Sequence, residues 1–199
     1  MPDGAVWIAA TGKGVAEWRE GKFFLPQMQG NPFRAILEAI SATPDGRVWL
    51  ASYSHGLYSL SVPRLTVVSS PGSDKANNIT ALFEMSPGEF AVATDGAGIL
   101  RYQAGQFRTL FDEDPHFGPQ THASGFLATR DGSLWVSGYQ CLAEFCNGNP
   151  VPHPELDKLF HQVSVRAILE DFSDGIWAGT DNALYHIHGD TATKVPRGG

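Results

Sequence analysis

Pro44-Asp45-Gly46-Arg47-Val48-Trp49-Leu50-Ala51, followed by Ser54-His55-Gly56-Leu57-Tyr58, is the stretch whose reading decides the fold. A tight Asp-Gly turn feeds a Val-Trp-Leu-Ala run. A second glycine-bearing turn then reverses the chain into Leu-Tyr-Ser-Leu, so the stretch predicts two short antiparallel strands. The arrangement recurs along the chain. Asp3-Gly4 stands ahead of Trp7, Pro87-Gly88 ahead of Phe90, Asp131-Gly132 ahead of Trp135 and Asp174-Gly175 ahead of Trp177. From Trp7 through Trp49, Phe90, Trp135 and Trp177 the steps are 42, 41, 45 and 42 residues. A period in the forties made of strands and turns corresponds to one four-stranded blade per repeat, which predicts an all-β fold of the β-propeller type.

The period divides the chain into repeats of about 1–30, 31–75, 76–118, 119–160 and 161–199, within a single domain. Three strands are expected in the first repeat and four in each of the others, nineteen in all. Arg34-Ala35-Ile36-Leu37-Glu38-Ala39-Ile40 read alone looks helical, since Ala, Leu and Glu favour helices. The repeat overrides that propensity: Arg166-Ala167-Ile168-Leu169-Glu170 recurs 132 residues later, again just before an Asp-Gly turn, so both are expected to be innermost blade strands. Only Pro196-Arg197-Gly198-Gly199 follows the fifth repeat, leaving no strand to complete the first. The expectation is five blades forming part of a larger, seven-bladed propeller.

Composition narrows the function classes. With 22 Gly, 13 Pro and 42% hydrophobic residues among 199, the chain suits short strands and turns and not a helical bundle. A formal net charge of −7 and no basic stripe argue against a nucleic-acid partner. No apolar run approaches the roughly 20 residues of a membrane-spanning helix, and MPDGAVWIAA lacks the basic n-region of a signal peptide. Cys141 and Cys146 lie five apart, on opposite faces of an extended strand and roughly 16 Å from one another, which predicts two buried free thiols.

Candidate binding residues fall in the longer connections between blades, at Gln27 to Phe33, Ser69 to Asn77, Phe111 to His122 and Pro150 to Val163. The third carries Asp112, Glu113 and Asp114 with His116 and His122, a set suited to a hard cation or to sugar hydroxyls, or simply to solvent. The fourth carries His153, Phe160 and His161, with Pro154 to Phe160 expected to form a short helical turn. Aromatic and polar groups facing one opening would suit an oligosaccharide. The Asp-Gly turns are expected to be structural and the repeated tryptophans to be core. Gly12-Lys13-Gly14 and Gly96-Ala97-Gly98 lead into no helix and read as hairpin turns, not phosphate loops. His186 and His188 alternate on one strand face, but spacing places no third ligand beside them, so a surface pair is expected. With no nucleophile elbow or paired-carboxylate motif, the sequence points to no catalytic residue, resident metal or cofactor.

The repeat resembles the two-component regulator propeller repeat of bacterial sensor proteins. The residues that carry the resemblance are Asp174 to Thr180 with Leu184-Tyr185, Asp45 to Trp49 with Gly56-Leu57-Tyr58, and Asp131 to Gly138. Pro87-Gly88 and Phe90 depart from it in the third repeat, as do Cys141 and Ala183 where a turn glycine is usual. The resemblance implies a periplasmic or extracellular propeller that senses a ligand, often a carbohydrate. It also implies a parent protein that passes the signal to a histidine kinase, a nucleotide cyclase or a DNA-binding output. A streptogramin-lyase-like propeller enzyme with a metal-assisted site, and a protein-interaction platform, are the alternatives. The acidic residue usual in the lyases after the aromatic strand is not visible in Trp49-Leu50-Ala51-Ser52.

Overall fold

The computed structural model describes residues 5–10, 14–25, 36–43, 45–61, 64–68, 74–111 and 122–196. Among these, nineteen strands form five antiparallel sheets in which each strand pairs with the next in sequence. The first sheet holds β1 (Val6–Ala10), β2 (Gly14–Arg19) and β3 (Lys22–Phe24). The second holds β4 (Leu37–Ala42), β5 (Val48–Ser52), β6 (Gly56–Ser61) and β7 (Arg64–Val68). The third holds β8 (Ile79–Ser86), β9 (Glu89–Thr94), β10 (Ile99–Gln103) and β11 (Gln106–Thr109). The fourth holds β12 (Ala123–Ala128), β13 (Leu134–Gly138), β14 (Cys141–Cys146) and β15 (Asn149–Val151). The fifth holds β16 (Val165–Glu170), β17 (Ile176–Thr180), β18 (Leu184–His188) and β19 (Thr191–Lys194). One helix, α1 (Pro154–Phe160), links the fourth sheet to the fifth. The sheets fall into two compact units, the first three up to Leu110 and the last two from Phe111.

The second strand of the second sheet is almost wholly apolar because it is covered on both faces. All five residues of β5 are buried. Val48 and Leu50 join Tyr58, Leu60 and Val15 in one cluster, whereas Trp49 and Ala51 turn the other way to meet Ile79, Phe90, Val92, Leu100 and Tyr102 of the third sheet. The Trp49 ring lies 4.8 Å from Phe90 and 5.4 Å from Tyr102. In the other unit, Trp135 of β13 packs on Ile176, Ala178, Tyr185 and Ile187 of the fifth sheet, with Leu156 and Phe160 of α1 in the same cluster. The second sheet therefore packs on the third through Trp49, and the fourth on the fifth through Trp135.

The ladders correct two readings of the repeat. In four sheets the first residue of the inner strand faces the last residue of the second strand: Leu37 with Ser52, Ile79 with Thr94, Ala123 with Gly138 and Val165 with Thr180. A bulge follows at once in each, at Glu38, Thr80, Ser124 and Arg166. The counterpart of Arg166 is thus Glu38 and not Arg34, which lies outside the described residues. The matched Arg-Ala-Ile-Leu-Glu strings are four residues out of structural register. Likewise Ala91, three residues before Thr94, holds the tryptophan position of the third sheet. Phe90 points to the opposite face, where it is fully buried against Trp49. Both thiols are free, but only Cys141 is buried; Cys146, at the end of β14, is exposed.

Removing Trp49, 5% exposed and ringed by aromatic groups, leaves a large cavity between two sheets. Trp49→Ala is expected to cost about 3–5 kcal/mol in urea unfolding, and a loss below ~1 kcal/mol would contradict this packing.

Asp131 accepts hydrogen bonds from the Thr129 hydroxyl and the Ser133 N–H, which hold its carboxyl below the ordinary 3.8. A depressed folded pKa contributes stability above pH 3.8 that is lost as the pH falls below it. The wild-type unfolding midpoint should therefore fall more steeply below that pH than that of Asp131→Asn; parallel profiles would refute the assignment.

Candidate functional site

The turn ahead of β17 departs from its counterparts by one residue. In the second and fourth sheets the N–H of Thr43 donates to the carbonyl of Arg47, and that of Thr129 to the carbonyl of Ser133, each at 2.9 Å. In the fifth sheet Asp171 takes the threonine position and donates to the carbonyl of Gly175 at 2.8 Å. The left-handed residue is Gly46 or Gly132 in the first two turns, with φ of 83° and 90°, but Asp174 in the third, with φ of 60°. The Asp-Gly pair has slipped by one position, and Gly175 stands where Arg47 and Ser133 carry side chains.

That slip makes room for a cluster. A Cβ at Gly175 would come within 2.6 Å of His186 Nε2, 2.8 Å of Asp171 Oδ2 and 2.8 Å of His188 Cε1. Asp171 Oδ1 accepts from the N–H groups of Ser173 at 2.7 Å and Gly175 at 2.9 Å, and Oδ2 accepts from His186 Nε2 at 2.6 Å. The Gly175 N–H first, and then His186, hold the Asp171 carboxyl far below the usual carboxylate range. Trp177 stacks on the His186 ring at 4.2 Å, and His188, two residues along β18 on the same face, meets that ring edge-on at 4.4 Å. One ligand atom from each of Asp171, His186 and His188 lies within 4.8 Å of the other two. Arg130, from the turn of the fourth sheet, secures the segment through the carbonyls of Asp171 and Phe172 and the carboxylates of Glu170 and Asp174.

The sequence paired His186 with His188 but not with Asp171. The signal was present: Gly175 precedes Trp177 by two residues, whereas Gly46 and Gly132 precede Trp49 and Trp135 by three.

The residues expected to bind a ligand are placed in different environments. Asp112, Asp114 and His116 lie outside the described residues. His153 donates to Glu144 Oε2 at 2.6 Å and stacks under Trp135 at 5.3 Å, with 9% of its surface exposed. Glu144 faces Trp135 across the ladder as His186 faces Trp177, so Glu144 holds the ladder position of His186. Phe160 is 1% exposed and meets Tyr185 edge-on at 5.6 Å in the core. Helix α1 forms where the sequence anticipated a helical turn: Pro154 starts it, and the Asp190 carboxylate accepts from the N–H groups of Glu155 and Leu156. His161 follows the helix and is exposed. His122 is exposed, its carbonyl accepting from the Tyr139 N–H and its ring 6.2 Å from the Tyr139 ring.

His122 and Tyr139 mark the sheet ends opposite the Asp-Gly turns. Tyr53, Asp95, Tyr139 and Asp181 each come directly after a second strand, next to the bulged residues. The Tyr53 hydroxyl donates to Asp95 Oδ2 at 2.6 Å, which raises the tyrosine pKa, and Arg166 Nε donates to Asp181 Oδ1 at 2.7 Å, which lowers that of the aspartate. This exposed aromatic and ionic set has no sequence motif; only the ladder shows that its members share one position.

Solved structures with the same fold include virginiamycin B lyase from Staphylococcus aureus, at 18% identity and a TM-score of 0.71 over 98% of this chain and 67% of that one. The extracellular domain assigned to the hybrid two-component system BT3049 from B. thetaiotaomicron aligns at 19% identity and a TM-score of 0.69, over 96% of this chain and 28% of that one. YCF48 bound to a D1 peptide aligns at 11% identity and a TM-score of 0.69, over 96% of this chain and 64% of that one. The fold is a β-propeller, and its neighbours include a two-component extracellular propeller, in keeping with the resemblance of the repeats. The chain spans about two thirds of the lyase and less than a third of the two-component domain. No protein-family model and no curated protein sequence matches it. No described helix is long and apolar enough to cross a membrane.

Gly175 has no positive φ, and side chains occupy its position in two other turns, so an added methyl meets its cost in the cluster alone. Gly175→Ala is expected to force His186 from Asp171 and lose about 1–3 kcal/mol of stability, with a displaced His186 ring resonance in NMR spectra. An unchanged resonance would contradict the geometry.

Proposed function

We propose that the chain is a ligand-sensing segment of a larger periplasmic or extracellular propeller in a bacterial two-component receptor. It binds a small polar ligand, with an oligosaccharide as the leading class, and passes the event to signalling modules of a parent protein without chemistry of its own. The observation that carries this reading is the ladder position that, in the second unit, sets Tyr139 and Asp181 beside the bulged Ser124 and Arg166. Exposed aromatic rings and ion-paired side chains supply the stacking surface and hydrogen-bond donors and acceptors that sugars use. Connections between sheets enter at these strand ends, so residues 112–121 lead into His122 and His161 lies on the path into β16. His122 and His161 belong to the proposed binding region, and His153 and Phe160 support it from the core; Asp112, Asp114 and His116 are proposed as further ligand-binding residues on their residue types alone. The fold shared with the two-component extracellular domain is in keeping with this reading.

A metal-assisted propeller enzyme is the second reading, favoured by the three potential ligands at Asp171, His186 and His188. A screen of neutral and acidic oligosaccharides by calorimetry, repeated with Tyr139→Ala and His122→Ala, separates the two. Sensing predicts binding without turnover, weakened at least tenfold by either substitution, which is about 1.4 kcal/mol. Binding unaffected by both substitutions would refute the site, and turnover abolished by a chelator would favour the enzyme.

A further inference from the structure

We infer that Asp171, His186 and His188 form a zinc-class divalent metal site with three protein ligands and an open coordination position. The inference is independent of the sensing role.

The donor set comes first. Two imidazoles and one carboxylate suit Zn²⁺ and its Co²⁺ and Ni²⁺ relatives, whereas Ca²⁺ and Mg²⁺ seek oxygen-rich sites. Zinc binds nitrogen and oxygen at about 2.0–2.2 Å, so tetrahedral ligand atoms sit roughly 3.3–3.5 Å apart. The three atoms here lie within 4.8 Å of one another, and Asp171 and His186 are 2.6 Å apart. Rotation of His188 inward and opening of the Asp171 to His186 pair by under roughly 1 Å reach that arrangement.

The surroundings orient the donors. Asp171 Oδ1 is held by two backbone N–H groups, which leaves Oδ2 as the coordinating atom. Trp177 fixes the plane of His186. Such supports behind a ligand commonly change metal affinity 10–100-fold. Gly175 leaves the space in which the three side chains meet.

His188 is what separates a metal site from a structural pair. The hydrogen bond between Asp171 and His186 needs no third group, yet His188 stands at the same point with its ring edge-on to that of His186. Its ring brings a third ligand atom within 4.8 Å of the other two and completes a coordination face.

The test is calorimetric titration of zinc chloride into the untagged, chelator-treated full chain. One Zn²⁺ per chain is expected, with affinity falling at least tenfold in His188→Ala and in Asp171→Asn. His55→Ala, which removes an exposed histidine of the second sheet, should leave binding unchanged. Because His188→Ala keeps the Asp171 to His186 pair, its circular dichroism and unfolding midpoint should match the wild type. No zinc binding, or the same stoichiometry and affinity in His188→Ala as in the wild type, would overturn the site.

Discussion

Burial of the second strand from both sides is the constraint on which the structure depends. Neither face of β5 reaches water and β13 is buried from Trp135 to Gly138, so within each unit the apolar surface of a sheet is covered by its neighbour. The tryptophan register follows from that need. Trp49 and Trp135 project from one face into the apolar side of the next sheet, and where the third sheet lacks the ring at Ala91, Phe90 supplies one from the opposite face. On the fifth sheet the corresponding face carries Trp177 with His186 and His188, and Leu169 and Leu184 on it are exposed.

The repeat also shows how little change converts a turn into a site. In the second and fourth sheets a threonine hydroxyl and an aspartate satisfy the turn. In the fifth, Asp171 satisfies the turn with one carboxylate oxygen and offers the other to His186. Moving the glycine by one position removes the side chain that would fill the space. Arg130 then ties the altered turn to the neighbouring sheet, so the loop is braced where its sequence departs from the repeat.

The number of sheets, nineteen strands and α1 were legible because period, turn residues and apolar runs are local signals. Register was not. Apolar runs buried on both faces read alike in either phase, so Phe90 was mistaken for the occupant of the Ala91 position, and a chance repeat of five residues outweighed the bulge after Leu37. The candidate sites were less legible still. His153 and Phe160 are expected from the sequence to face a ligand, but Asp190 caps the helix that follows His153, and Phe160 at its end lies in the core. Asp171 was missed because its partner lies 15 residues away across a hairpin, a relation set by the ladder and not by spacing.

The central claim is that the slipped turn builds a three-ligand site on the fifth sheet. Its most direct test is an anomalous difference map, at the zinc absorption edge, from crystals of the zinc-treated protein. One peak about 2 Å from Asp171 Oδ2 and from a nitrogen of each of His186 and His188 is the predicted result. A map with no peak there, or with density only at exposed histidines such as His161, would contradict it.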